Sequence, residues 1–444
     1  MAYRIETNLF DFLDERELGD LNRLVALLEM LPAEPLLEAL EAERAGRRND
    51  NPVRRMWYCL VAATLYGEGK WSRLRAELAR NQDLRRVCDV PCVETIPSRH
   101  AFKRFAAALA RHQDLLEGML AGVVARLSEL LPDLGRHLAV DSSGLMTHTR
   151  VDEKDGRLRE GSWGAKTSQR VRKDGTVEEV TLRWFGFKLH LLVDALYEVP
   201  LAFEVTEAKQ SDMHHLVPLL VKLRQEQPQL ETETVSADKG YDSAENVERA
   251  WREEVEGRPL RIKAVIAQRE SPTPDEPYQD GRGFCDLVLR KHGALCCQRE
   301  LKNAEGKIER PLTEMAWAGF EADRECHKFR CPAKTHGLEC RRFQECNAGL
   351  SQGRTVRVAC EGRWRTLPPL PVDSPKWERI YKGRTSVERA FGRLKGPLGL
   401  EELPVRSKAG VTLRATMGLL VLVALAVCRV RQGQTRNLGK IRAA

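Results

Sequence analysis

From His137 to about residue 267, short runs of strand-forming residues alternate with amphipathic helical stretches. HLAVDSSGL is a brief apolar run closed by a carboxylate. GFKLHLLVDALYEVPLAFEVTEA is rich in strand formers and is broken at Tyr197–Pro200, which predicts a hairpin. DMHHLVPLLVKLRQ has helical periodicity, TETVSADKGYDS runs from a strand into a loop, SAENVERAWREE is a second helix, and RIKAVIA is another strand. Strands that alternate with helices need both faces of a sheet covered, so this region is expected to be an α/β domain built on a central sheet.

The flanks differ. Residues 1 to about 135 read as all-helical: Leu18, Leu21, Leu24, Val25, Leu28 and Leu31 recur at helical spacing. Pro52 marks a helix start before VRRMWYCLVAATLY. Gly67 and Gly69 interrupt the pattern, and WSRLRAELARN resumes it. Ser98 is placed to cap a helix beginning at Arg99. From about 268 to 372 the alternation stops. That stretch holds ESPTPDEP, most of the cysteines and apolar runs without helical period, so an inserted β-rich or loop-rich subdomain is expected. A helix carrying TSVERAFGRLK follows, then an apolar helix near 409–430. The expected division is 1–135, 136–267, 268–372, 373–430 and a basic tail at 431–444. From Cys428 onward the tail has five basic residues and no acidic one, which suits either a DNA-contacting arm or a solvated end.

Composition narrows the class. Hydrophobic residues make up 42% and charged residues 31% of the 444, ordinary for a chain that buries a core. The formal charge of +8 is compatible with nucleic acid without singling it out. Met417–Cys428 is the one continuously apolar stretch and falls short of the about 20 residues needed to span a bilayer, so no membrane role is expected. The N-terminal MAYRIETNLFDFLDE lacks the apolar core of an export signal. Of twelve cysteines, eight lie between Cys285 and Cys360. With no export signal, the expected setting is a reducing cytoplasm, and the clustering points to metal or to buried thiols.

Phosphodiester cleavage needs a nucleophilic oxygen and neutralisation of charge building on the phosphate. Two hard cations about 4 Å apart meet both needs, and they prefer carboxylate oxygens. Asp141 closes a strand-like run and Asp238 closes another before Lys239–Gly240. Each alone says little, because an Asp after a short strand is commonly a turn or cap residue. YKGRTSVERAFGRLK is sharper. It sets Tyr381, Arg384, Glu388 and Lys395 at offsets of three, four and seven, with the last three along one helix face. An exposed helix laced with ion pairs has the same look.

These residues resemble the bacterial insertion-sequence transposases of the DDE class, in the group with a Y-R-E-K signature (the insertion-sequence-four superfamily, eleven-eighty-two-like branch). Tyr381, Arg384, Glu388 and Lys395 match the signature in identity and spacing. LAVDSSG and SADKGYDS resemble the segments bearing the first and second catalytic aspartates. NPVRRMWYCLVAATLYG through LRRVCDV and PSRHAFKRF resemble a helical leader. The resemblance implies an RNase H-like mixed sheet flanked by helices, an all-α N-terminal domain, and a cysteine-rich insertion before the last catalytic helix. It further implies two Mg2+ or Mn2+ ions held by Asp141, Asp238 and Glu388. Arg384 and Lys395 would grip phosphates at the transposon end, and Tyr381 would contact the same DNA. The implied reaction starts with water freeing a 3′-OH at a terminal inverted repeat. That hydroxyl then attacks the other strand, through a hairpin, and later a target duplex. The implied partners are double-stranded DNA and a second copy of the chain, at the nucleoid of a bacterium.

Three features stand beside that scheme. Cys326, Cys331, Cys340 and Cys346 supply four thiolates for a structural zinc site, with Cys285, Cys296 and Cys297 as substitutes; plain buried thiols are the other reading. Arg99, His100, Lys103 and Arg104 share one short helix, which suits a helix-turn-helix-like contact with the terminal repeats or an ordinary solvated face. Trp317, Trp364 and Trp377 lie in or near the insertion, where relatives present a base-flipping aromatic, and nothing in the sequence picks among them. His190 and His214 read as structural or near phosphate rather than as ligands. Three other readings compete: a nuclease on the same core, a silent DNA-binding descendant, and an interaction scaffold using the cysteine-rich insertion. The full signature counts against the first, the intact carboxylates against the second, and the three matched segments against the third.

Overall fold

The computed structural model describes residues 19–44, 50–147, 160–172, 176–270, 275–280, 286–401 and 403–441, with the side chains of 168–171 set aside. Leu18, Cys285, Ser271–Pro274 of the ESPTPDEP stretch, Arg442 and the MAYRIETNLFDFLDE segment lie outside the described residues. The chain divides into two compact units, Met1–Thr232 with Arg384–Ala444, and Glu233–Gly383.

Among the described residues the first unit opens with seven α-helices, in the stretch read as all-helical: α1 (Leu21–Met30), α2 (Glu34–Ala42), α3 (Val53–Leu65), α4 (Trp71–Arg80), α5 (Gln82–Val87), α6 (Arg99–Arg111) and α7 (Gln113–Leu130). Pro52 precedes α3, where its missing N–H costs nothing. The Ser98 hydroxyl accepts the Ala101 N–H at 3.1 Å and so starts α6 where expected. Gly67 ends α3 at φ +65°, and a Cβ there would stand 2.4 Å from the Pro397 carbonyl oxygen, so the interruption is a close backbone approach. The Lys408–Arg431 helix packs against α1, α3, α6, α7 and a sheet strand. Surrounded in this way, it is apolar on every side. It is long and apolar enough to cross a membrane by length and composition, yet 89% of its most apolar window is buried inside the protein.

Strands β1 (His137–Met146), β2 (Ser162–Val171), β3 (Val177–Asp194) and β4 (Pro200–Glu207) form the sheet of this unit. β1 runs antiparallel to the second half of β3, β4 pairs with the same half, and β2 pairs with the first half as a two-stranded ribbon. Gly186 marks the passage from ribbon to core. It holds φ +151°, and a Cβ would stand 2.3 Å from the Leu145 carbonyl oxygen. The predicted hairpin turn lies between β3 and β4, and α8 (Leu216–Glu226) packs back on β4.

In the second unit β5 (Thr234–Ala237) lies parallel to Lys263–Ile266, with α9 (Ala244–Arg252) as the crossover. The Pro375–Tyr381 helix also packs on both strands. The insertion is β-rich. Glu276–Tyr278, Leu287–Leu289, Leu295–Gln298 and Leu312–Glu314 form one sheet; Ala316–Glu321, Cys326–Arg330 and Thr355–Ala359 form another. Antiparallel strands followed by a parallel, helix-connected pair make the α/β mixture of an RNase H-like fold, behind a helical N-terminal region.

Candidate active site

Asp141 stands midway along β1 opposite Leu191 of β3, where the strand leaves its buried Leu138–Val140 stretch. Its Oδ1 accepts the Ser142 N–H at 2.7 Å. The Thr385–Lys395 helix lies on β1 and β3 through buried Val387, Ala390, Phe391 and Leu394. That packing leaves Glu388, in the first helical turn, half-exposed. Arg384 immediately precedes the helix. Its Nη2 is 2.7 Å from Glu388 Oε1 and its Nη1 3.9 Å from Asp141 Oδ2, so one guanidinium stands between two carboxylates. Lys395, two turns on, donates from Nζ to the Gly144 carbonyl at 2.9 Å and pins the segment after Asp141. Burial holds its ammonium below the usual lysine range, with Lys166 of β2 adding like charge. The structure therefore gathers Asp141, Arg384, Glu388 and Lys395.

The helix has an anchor that the sequence did not show. Glu198 sits in the β3–β4 turn with φ 58°. Its carboxylate accepts from Arg389 Nε at 2.5 Å and pairs with Arg393. A hairpin read as turn residues alone gave no sign of this role.

Asp238 closes β5 in the second unit. Its Oδ1 accepts the Gly240 N–H at 2.7 Å and caps the 3-10 turn Lys239–Tyr241. Its Oδ2 takes no hydrogen bond among the described residues. Nearby, buried Asp242 binds Arg365 at 2.8–3.2 Å and accepts the Arg269 N–H at 2.8 Å, so the insertion is tied to the strand end by a pair absent from the sequence reading. Tyr381 stacks on Trp377 with centroids 4.6 Å apart and joins the cluster of Val265, Leu370 and Trp377, a packing role beside the DNA contact expected of it.

Among the described residues no group of three or more His, Cys, Asp or Glu side chains stands arranged to hold a metal ion. The four thiols expected to bind zinc are divided. Cys331, Cys340 and Cys346 line one small cavity with Cys297, whereas Cys326 begins a strand with its thiol 3.7 Å from Glu321. Burial pushes the Cys297 thiol up to about 12 and raises that of Cys346 as well. Within the first unit the oxygen donors of Asp141 and Glu388 suit a hard cation, and a positive group is already seated between them.

On α6, Arg99, His100, Lys103 and Arg104 are all exposed, while Ala101, Phe102, Phe105 and Leu109 face inward. Arg99 and Lys103 line one cleft, and Arg104 lines another beside Glu43. Of the three tryptophans, Trp364 and Trp377 are buried and Trp317 is 45% exposed, donating to His327 Nδ1 at 2.9 Å. His190 is buried, bonded through Nε2 to Thr206 at 2.8 Å, with its ring centroid 4.2 Å from that of His215 and the rings tilted by 30°. Burial pulls it down to about 4. The basic tail packs back on the protein, with Leu438 and Ile441 buried and Arg429 donating to the Leu438 carbonyl at 2.6 Å.

The sequence profile of the transposase DDE domain family matches residues 132–269 and 334–424, and thus just over half of the chain. The chain belongs to that family. Asp141, Asp238, Arg384, Glu388 and Lys395 all fall inside the matched segments, and the break between them falls in the β-rich insertion. No curated protein sequence matches. Among solved structures, the cryo-EM structure of the piggyBac transposase synaptic complex with hairpin DNA is 10% identical, spanning 97% of this chain and 87% of that one at a TM-score of 0.30. A likeness that distant carries no argument here.

Proposed function

We propose that the chain is an insertion-sequence transposase of the Y-R-E-K group, cutting DNA at terminal inverted repeats and joining the freed ends to a target. The observation that carries this reading is the Asp141–Arg384–Glu388 constellation lying inside the family match. Asp141, Asp238 and Glu388 are the proposed ligands of two Mg2+ or Mn2+ ions. Such ions supply an activated water and neutralise charge on the scissile phosphate. The chain's own residues do the rest. Lys395 fixes the segment after Asp141 through Gly144 and presents a partly desolvated ammonium beside it, where a phosphate oxygen gains more than in water. Arg384 screens the two carboxylates from each other and would be released to pair with a DNA phosphate if a cation replaced it there. Tyr381, set on Trp377, is a rigid ring for contact with the same strand. The exposed face of α6, with Arg99, His100, Lys103 and Arg104, is proposed to contact the terminal repeat within a DNA-binding region spanning residues 1–135. Paired cutting of two ends calls for a homodimer on DNA, in the cytoplasm at the bacterial nucleoid.

The test is incubation with Mg2+ or Mn2+ and a labelled duplex carrying the flanking terminal repeat, wild type beside Glu388→Gln. Metal-dependent nicks or hairpins at the repeat boundary, lost in the variant, support the proposal. Tight binding without cleavage in either protein replaces it with a silent DNA-binding descendant.

A further inference from the structure

A cleft of ≈ 600 Å3 opens in the first unit, lined by the start of α4, one face of α6 and the first turns of the Lys408–Arg431 helix. Pockets of about 300–1,000 Å3 are the size that takes small molecules. The lining carries Lys70, Arg99, Lys103, Arg111 and Arg414 and no carboxylate. Arg111 is paired with Glu43. Lys70, Arg99 and Lys103 make no ion pair among the described residues. Ala106, Ala107 and Ala110 of α6 add a small-residue floor to the same lining.

Arg414 is the unusual member. It is 9% exposed, and its partners are the Gly69 carbonyl, 3.1 Å from Nη2, and the Trp71 ring, whose centroid lies 4.7 Å from the guanidinium carbon. Trp71 is stacked on Phe102 at 5.1 Å, so the guanidinium is held in place by a fixed ring. Buried charges are as a rule paired, because leaving water costs several kcal/mol that a counter-charge must offset. Here no carboxylate among the described residues does so, and burial alone pulls Arg414 down to about 10. The wall thus presents a preorganised, undercompensated cation to a cleft with no carboxylate among its described lining residues.

We propose that this cleft seats one phosphate-bearing nucleotide of an unpaired DNA strand, with the phosphate on Arg99, Lys103 and Arg414 and the sugar and base against the alanine floor. The cations match phosphate oxygens. The volume exceeds the needs of a bare anion, and it admits a single nucleotide rather than a duplex. The identity of the strand rests on the transposase reading; the seat itself rests on the cleft.

Binding of a short dye-labelled single strand is to be read by anisotropy without divalent metal, so that the outcome stands apart from the cleavage assay. Ala106→Phe fills the floor and leaves every charge in place. It is expected to weaken strand binding about tenfold, with an unchanged melting curve and with deoxyadenosine monophosphate displacing the strand from wild type. Arg99→Gln with Lys103→Gln should weaken binding and make its salt dependence shallower by about one unit of slope. A strand bound as tightly by Ala106→Phe as by wild type overturns the proposal, leaving surface charge alone. Ala106-dependent binding of the mononucleotide, with no strand binding, overturns it in favour of a free nucleotide.

Discussion

Arg384 is the residue on which the proposed chemistry turns. A guanidinium between two carboxylates competes with any cation those carboxylates would hold, and it is also the donor best shaped for a phosphate. Removing it should therefore pull two measurements apart. Arg384→Gln is expected to bind Mn2+ several-fold tighter by calorimetry, because the competitor is gone, while cleavage at the repeat falls about a hundredfold for want of a phosphate donor. Equal Mn2+ affinity in variant and wild type would show that cation and guanidinium do not share the site. The Arg384–Glu388 pair was legible in the sequence because it is local, four residues apart across the start of one helix. Its contact with Asp141 was not, since it depends on the helix crossing β1. Tyr381 shows the same limit: a signature residue by spacing, its ring placement is set by Trp377.

At the scale of elements, two polar anchors hold the helices and sheets that carry these residues. Glu198 binds Arg389 and Arg393, fixing the Glu388 helix to the hairpin turn. Because the carboxylate is mostly buried and serves two partners, Glu198→Ala should cost about 1–2 kcal/mol in urea unfolding, above the level of a surface pair. A loss within error would mean the helix is held by its apolar face alone. In the insertion, Arg354 is 2% exposed and binds Asp280 at 2.8–3.0 Å and Asp286 at 3.0 Å. Arg354→Met takes the shared guanidinium away from Asp280 and Asp286 while Arg342 stays 3.6 Å from Asp286, so a loss at the lower end of about 3–5 kcal/mol is expected. Proteolysis of the insertion at native-state rates would contradict it. The helices were the readable elements, because their periodicity runs over many turns and their caps are local. The ribbon of β2 and the first half of β3 was missed, since both faces of much of it are exposed and no alternation marks it. The insertion strands, two to six residues each, are too short to carry a period, so only β-richness was legible there.

Across the whole molecule, acid should not act evenly on the two units. His327 in the second unit and His190 in the first are buried and held to about 4, against an ordinary value near 6.5. Below about pH 6.5 the unfolded chain takes up these protons and the folded chain does not. Stability therefore falls as pH drops towards 4, by up to about 1.4 kcal/mol per pH unit for each histidine. In the first unit Glu34, Glu43, Glu94 and Glu204 are lowered and pull the same way, but Asp194, with Glu68 and Glu226 also raised by burial, opposes this. Burial raises Asp194 to about 6 even though it accepts the N–H groups of Gly135, Leu196 and Tyr197, so the folded state gains its proton first and is favoured as pH drops from 6. In the second unit no such offset appears among the described carboxylates. Glu253, Asp275, Glu276, Glu321 and Glu345 are each lowered by an arginine partner and lose stability in the same direction as His327. Hydrogen exchange at pH 5 against pH 7.5 should thus show peptides from 286–380 opening before those of the β1–β3–β4 sheet. His327→Gln keeps an acceptor for Trp317 and removes the titrating ring, so it should flatten the difference. If the sheet of the first unit opened first, the acid sensitivity would have to come from groups other than the buried histidines.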